Sequence, residues 1–113
     1  MLTIEKLQEF GANTEEGMSR CLNNQDFYLR LVNMVFAEQG FEKLKESLAN
    51  KDVTASFEAA HALKGVLGNL SLTPVFQPMS EITEILRAGS LEGTEPLAEQ
   101  IFAKMDELKK LAE

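Results

Sequence analysis

The sequence holds a single cysteine, Cys21, and a single histidine, His61. One thiol can form neither an internal disulfide nor a four-thiolate zinc site, and a lone thiol fits a reducing compartment. One imidazole excludes every site that needs two: zincins, most catalytic zinc centres and di-iron bundles with paired histidines. Positive charge is also scarce. Against 18 Asp and Glu there are 11 Lys and Arg, which leaves a formal net charge of -7. A chain of this sign is repelled by a nucleic-acid backbone and by an anionic membrane surface, so neither is expected as a partner. Long apolar runs are missing. Met1-Leu2-Thr3-Ile4-Glu5-Lys6 lacks the apolar stretch of a signal peptide, and no run approaches bilayer length. A cytoplasmic protein, or a cytoplasmic piece of a larger one, is the expectation.

Strand alternation and Asn-Gly hairpin signals are absent too. What remains is helical spacing almost from end to end. Thr3 caps a short helix that stops at Phe10-Gly11. Asn13 stands three residues before Glu16, in the manner of a capping box, and opens a second short helix to about Leu22. Asn23-Asn24 breaks it. Phe27, Leu31, Val32, Met34, Val35, Phe36, Phe41, Leu44 and Leu48 make one stripe, which predicts a long helix over 26–49 with Gly40 as a point of bending. Asn50-Lys51-Asp52 is a turn with Asp52 as N-cap, and 53–70 is the next helix. Thr73 is read as a cap with Pro74 at the first helical position. Pro78 should weaken the following turns, and Ala88-Gly89 closes that helix. After a loop at 90–94, Pro96 opens a last helix through Leu97, Ile101, Met105, Leu108 and Leu111. No repeat or low-complexity tract interrupts the pattern. Short loops join antiparallel neighbours. The expected fold is therefore all-α, an antiparallel up-down four-helix bundle (about 26–113) with one or two short extra helices in front (1–22), as a single domain over 1–113.

The helix over 53–70 carries the chemistry. At about 100° per residue, Phe57, Lys64, Gly65 and Gly68 fall within about 60° of His61. The apolar residues Ala59, Ala60, Leu63, Val66, Leu67 and Leu70 centre on the opposite side. A lone imidazole is most often a satisfied core histidine, but this one lies outside the apolar stripe and is expected to face water. Each glycine inside a helix costs about 1 kcal/mol relative to alanine. Gly65 and Gly68 impose that cost on the face of His61, where missing side chains leave the imidazole accessible to another molecule. The competing reading is that a glycine ends the helix or admits a neighbouring helix.

Lys64, three residues after His61, is its neighbour on the surface. An exposed pair at this spacing contributes only about 0.2–0.5 kcal/mol. That can help hold an anion on the imidazole but cannot catalyse phosphoryl transfer. No metal ligands or general base accompany it, so if this face does phosphoryl chemistry, a partner must bring most of the catalysis. An imidazole free in water is largely unprotonated at pH 7, and its bare nitrogen is a competent nucleophile.

Ala60-His61-Ala62-Leu63-Lys64-Gly65-Val66-Leu67-Gly68-Asn69-Leu70 resembles the motif of histidine phosphotransfer (HPt) domains, A-H-x-L-K-G-x-x-x-x-L-G. The flanking helix pattern, including the turn at Arg87-Ala88-Gly89, extends the resemblance over essentially the whole chain. Two departures stand out: Ser71 replaces the motif's last glycine, and the apolar-acidic pair usual in the following helix becomes Ile82-Thr83. The resemblance implies a phosphorelay intermediate. His61 would accept a phosphoryl group, through Nε2, from a phospho-aspartate of a response-regulator receiver domain or from a hybrid histidine kinase, and pass it to another receiver. Lys64 would assist by charge and Gly65 would give access, with Gly68 a looser match supported by the wheel. Phe57 is a candidate docking contact or a bundle-edge aromatic. The chain itself would need no metal or cofactor, the magnesium ion belonging to the receiver, and would act as a monomer.

Other signals are weaker. Gly65-Val66-Leu67-Gly68 matches the G-x-x-G of RNA-binding KH domains but lies within a helix in an acidic chain without strands. Lys64 precedes the glycines, unlike a Walker A lysine. Cys21 and most methionines and phenylalanines read as packing residues. Two alternatives to phosphotransfer are an HPt-shaped interaction module that binds receivers or other proteins without carrying phosphate, and an unrelated scaffolding bundle. The second leaves the two glycines unexplained.

Overall fold

Four polar side chains each accept a hydrogen bond from the backbone N–H three residues on, and each starts a helix. They are Thr3 to Lys6 at 3.1 Å, Asn13 to Glu16 at 3.2 Å, Asn24 to Phe27 at 3.0 Å and Asp52 to Ala55 at 3.1 Å. The computed structural model describes every residue from Met1 to Glu113. It contains seven helices and no strand: α1 (Ile4–Phe10), α2 (Thr14–Arg20), α3 (Gln25–Val35), α4 (Gly40–Ala49), α5 (Val53–Asn69), α6 (Thr73–Arg87) and α7 (Thr94–Ala112). None is long and apolar enough to cross a membrane.

The bundle is built by α4 against α5, α5 against α6 and α6 against α7. Its neighbours run antiparallel. Ser56 donates to Ser47 at 2.9 Å between α5 and α4, while Gly40 meets Leu63 at the other end of the same pair. Leu44, Leu63, Leu67, Val75, Met79, Ile82, Leu86, Ile101 and Leu108 fill the centre, fully or almost fully buried. Each such aliphatic side chain contributes about 1.5–3 kcal/mol relative to exposure.

Three details differ from the sequence reading. The predicted helix over 26–49 is two helices. At the end of α3, Phe36, Ala37 and Glu38 donate to Asn33, Met34 and Val35, the tightened i to i−3 pattern that closes a helix. Gly40 then begins α4, and a Cβ there would lie 3.0 Å from Leu63 Cδ2, so glycine lets the first turn of α4 settle onto α5. Thr73 is the first residue of α6 and not its cap; Leu72 holds that position without a side-chain bond. Thr94, not Pro96, opens α7, after Gly93 at φ 84°. Pro96 still falls in the first turn, where no N–H is required. Pro78 sits buried inside α6, which continues past it.

The segment before α4 closes the C-terminal end of α5. The last carbonyls of a helix have no partner within it. Here the Arg20 guanidinium donates to Gly68, the Tyr28 hydroxyl donates to Leu70 at 2.8 Å, and the Asn13 N–H donates to Ser71 at 3.0 Å. A cation at this end also complements the helix dipole. The helix that carries His61 is thus anchored from α2, α3 and the α1–α2 turn.

Candidate functional site

Asp52 starts α5 and its apolar stripe turns inward: Ser56, Ala59, Ala60, Leu63 and Leu67 are buried. His61 and Gly65 on the other face are exposed, and Phe57, Lys64 and Gly68 are half-buried. The side-chain hydrogen bonds along α5 engage Ala55, Ser56 and Gly68. Both ring nitrogens of His61 and the Lys64 ammonium are left without a protein partner. Arg20 and Arg87, which reach α5 from α2 and α6, are both paired: Arg20 lies 3.4 Å from Glu16, and Arg87 lies 3.1 Å from Glu84. Lys64, one turn from His61 on the same face of α5, has no ion-pair partner.

The two glycines have different surroundings. A Cβ at Gly65 would meet nothing within 4 Å. A Cβ at Gly68 would lie 2.9 Å from Phe76 Cε1 and 3.3 Å from Cδ1. The expectation that Gly68 provides clearance for a partner is corrected accordingly: its missing side chain admits the Phe76 ring of α6, and the open space lies at Gly65 alone.

Phe57 lies one turn before His61, with ring centroids 5.6 Å apart and planes tilted by 38°. Its ring also takes the Arg87 guanidinium, whose carbon lies 5.0 Å from the centroid. Sequence reasoning passed over this role of Arg87. A signal existed: Phe57 with Arg87, and Gly68 with Phe76, are each placed symmetrically about Leu72, as residues facing each other across a helical hairpin must be.

The departures at Ser71 and Ile82-Thr83 have local explanations. Ser71 sits just beyond α5 at φ 54°, the left-handed region where glycine is favoured. Its hydroxyl donates to Glu16 Oε1 at 2.7 Å, a bond that glycine could not make. Ile82 and Thr83 are both fully buried. The Thr83 hydroxyl donates to the Met79 carbonyl at 2.6 Å, so the polar atom is satisfied within its own helix, where a buried carboxylate would need a donor of its own.

The arrangement presents a nucleophilic ring on a rigid pedestal, beside one uncompensated cation and one gap in the side-chain cover. A family model for the Hpt domain matches residues 34–111. Searches among curated proteins and among solved structures gave no match. With more than half of its length matched by that model, the chain belongs to the Hpt domain family.

Proposed function

We propose that this protein is a phosphorelay intermediate in which His61 receives a phosphoryl group from the phospho-aspartate of a response-regulator receiver domain, or through a hybrid histidine kinase, and hands it to another receiver. The observation that carries the reading is the exposed, unpartnered imidazole of His61 beside the open space at Gly65. In the forward step the lone pair of Nε2 attacks phosphorus and the bond from phosphorus to the aspartyl oxygen breaks. The carboxylate leaves with the bonding pair, and the ring keeps its proton on Nδ1. The reverse step returns the phosphoryl group to an aspartate. Transfer of this kind depends on position and charge neutralisation. The bundle supplies position, Lys64 supplies one positive charge, and the divalent cation belongs to the receiver. The protein acts as a monomer in this scheme.

Incubation with a phosphorylated receiver should place an acid-labile, base-stable label on this chain, and His61→Gln should abolish it without changing the helical spectrum. Label persisting in that variant would remove His61 from the role. A receiver that binds without any transfer would favour an interaction module that carries no phosphate.

A further inference from the structure

We propose that Phe57 is a positioning residue for the His61 imidazole, and that Arg87 of α6 holds Phe57 in place. The inference rests on the phosphoacceptor reading of His61.

His61 has no hydrogen bond to orient it, so its ring would be free to exchange among staggered rotamers. Side chains on a helix lean toward the preceding turn. His61 therefore leans over Phe57, and the centroid distance of 5.6 Å places the rings in an aromatic contact. Phe57 is half-buried, and its ring is capped by a second group from another helix. The Arg87 guanidinium carbon stands 5.0 Å from the Phe57 centroid while Nε bonds Glu84 Oε2 at 3.1 Å. Glu84 fixes Arg87, Arg87 fixes Phe57, and Phe57 narrows the orientations open to His61. A nucleophile attacking phosphorus in line must be presented within a small range of angles. Restricting the ring beforehand raises the fraction of encounters that can react.

The test uses the full chain and two donors, phosphoramidate and a phosphorylated receiver. With phosphoramidate, its phosphorus–nitrogen bond breaks, ammonia leaves and a new phosphorus–nitrogen bond forms to His61, with no docking surface involved. Phe57→Leu should slow labelling by phosphoramidate about two- to tenfold, the range an aromatic pair contributes. It should lower the maximal rate with the receiver by the same factor and leave the half-saturating receiver concentration unchanged. Phe57→Tyr should restore the rate. Arg87→Met, on the surface of α6, should fall between Phe57→Leu and the parent protein. Three-bond couplings of the His61 side chain should report one dominant rotamer in the parent protein and averaging in Phe57→Leu. Averaged couplings in the parent protein, or unchanged phosphoramidate labelling in Phe57→Leu, would overturn the proposal. So would a raised half-saturating concentration at constant maximal rate, which makes Phe57 a docking contact. If phosphoramidate labels His61 but no receiver does, the relay function fails while the positioning role stands.

Discussion

The ring of Phe76 occupies the space in front of Gly68, 2.9 Å from where a Cβ would sit, while the same position at Gly65 is empty. Two glycines less than a turn apart therefore serve different ends. One lets α6 close onto the end of α5, and the other leaves the approach to His61 uncovered.

Substitution should separate them. Gly65→Ala should raise stability by about 0.5–1 kcal/mol, because alanine restricts the unfolded chain and no clash offsets the gain. Gly65→Leu should fold normally and slow transfer from a receiver. Gly68→Ala should be less stable than Gly65→Ala by about 1–3 kcal/mol, the usual cost of overpacking. Phe76→Leu should relieve much of that difference, a coupling that a double-mutant cycle in urea would measure. Full transfer activity in Gly65→Leu would refute the clearance argument.

The chain has one tyrosine, and its hydroxyl donates to the Leu70 carbonyl that α5 leaves open. Burial, with Cys21 nearby adding to it, pushes the Tyr28 phenol up from 10.0 to about 12. The folded state holds the proton more tightly than the unfolded state does. The stabilisation is therefore complete below pH 10 and is lost as pH rises toward 12. Tyrosinate absorbance can be assigned to this one group, and it should appear with loss of helix near pH 12. Tyr28→Phe should remove that linkage and lower stability at neutral pH by about 1–3 kcal/mol, since the Leu70 carbonyl loses its donor. Tyrosinate forming near pH 10 with the helices intact would contradict the assignment.

Ser71 holds a left-handed conformation at φ 54° that costs a non-glycine residue about 1–2 kcal/mol. Its 2.7 Å bond to Glu16 offsets part of that cost. Ser71→Gly removes both and should stay within about 1 kcal/mol of the parent protein. Ser71→Ala keeps the strain and loses the bond, so it should be less stable than Ser71→Gly by about 1 kcal/mol. Equal stability of the two variants in urea would mean that position 71 carries no strain.

Much of the local chemistry was legible in the sequence, though Thr73 and Pro96 were misplaced at their helix starts. Contacts between helices were not legible. Asn13 and Asp52 could be read as caps because a cap bonds three residues along its own chain. The outward placement of His61 followed from the apolar stripe opposite it. The break between α3 and α4 has a local signal that a list of apolar residues does not show: at about 100° per residue Phe41, Leu44 and Leu48 fall roughly opposite Val32, Val35 and Phe36. The packing of Gly40 against Leu63 has no such signal, because Leu63 lies on another helix. The wheel likewise placed Gly65 and Gly68 together, since Phe76 is not on the wheel. Arg87 showed itself only as a residue near a turn. Its contact with Phe57 needs the register of the α5–α6 hairpin, which is set by how tightly the chain turns between Asn69 and Thr73.

Lys64 bears on how much of the chemistry this protein supplies. Its ammonium is partnerless, yet it stands on a surface where water screens the charge, and a pair at this spacing changes an equilibrium by a factor of about two. Lys64→Ala should therefore shorten the lifetime of phosphorylated His61, or slow transfer, by about that factor. Raising the salt concentration should erase the difference, because exposed charges are screened within about 10 Å at 0.1 M. Rates measured with a phosphorylated receiver at low and high salt would check both points. A loss of a hundredfold or more, insensitive to salt, would mean that Lys64 makes a desolvated contact with the phosphoryl group once the receiver has closed over it. The site would then be assembled jointly by the two proteins, and the catalytic share of this chain would exceed positioning.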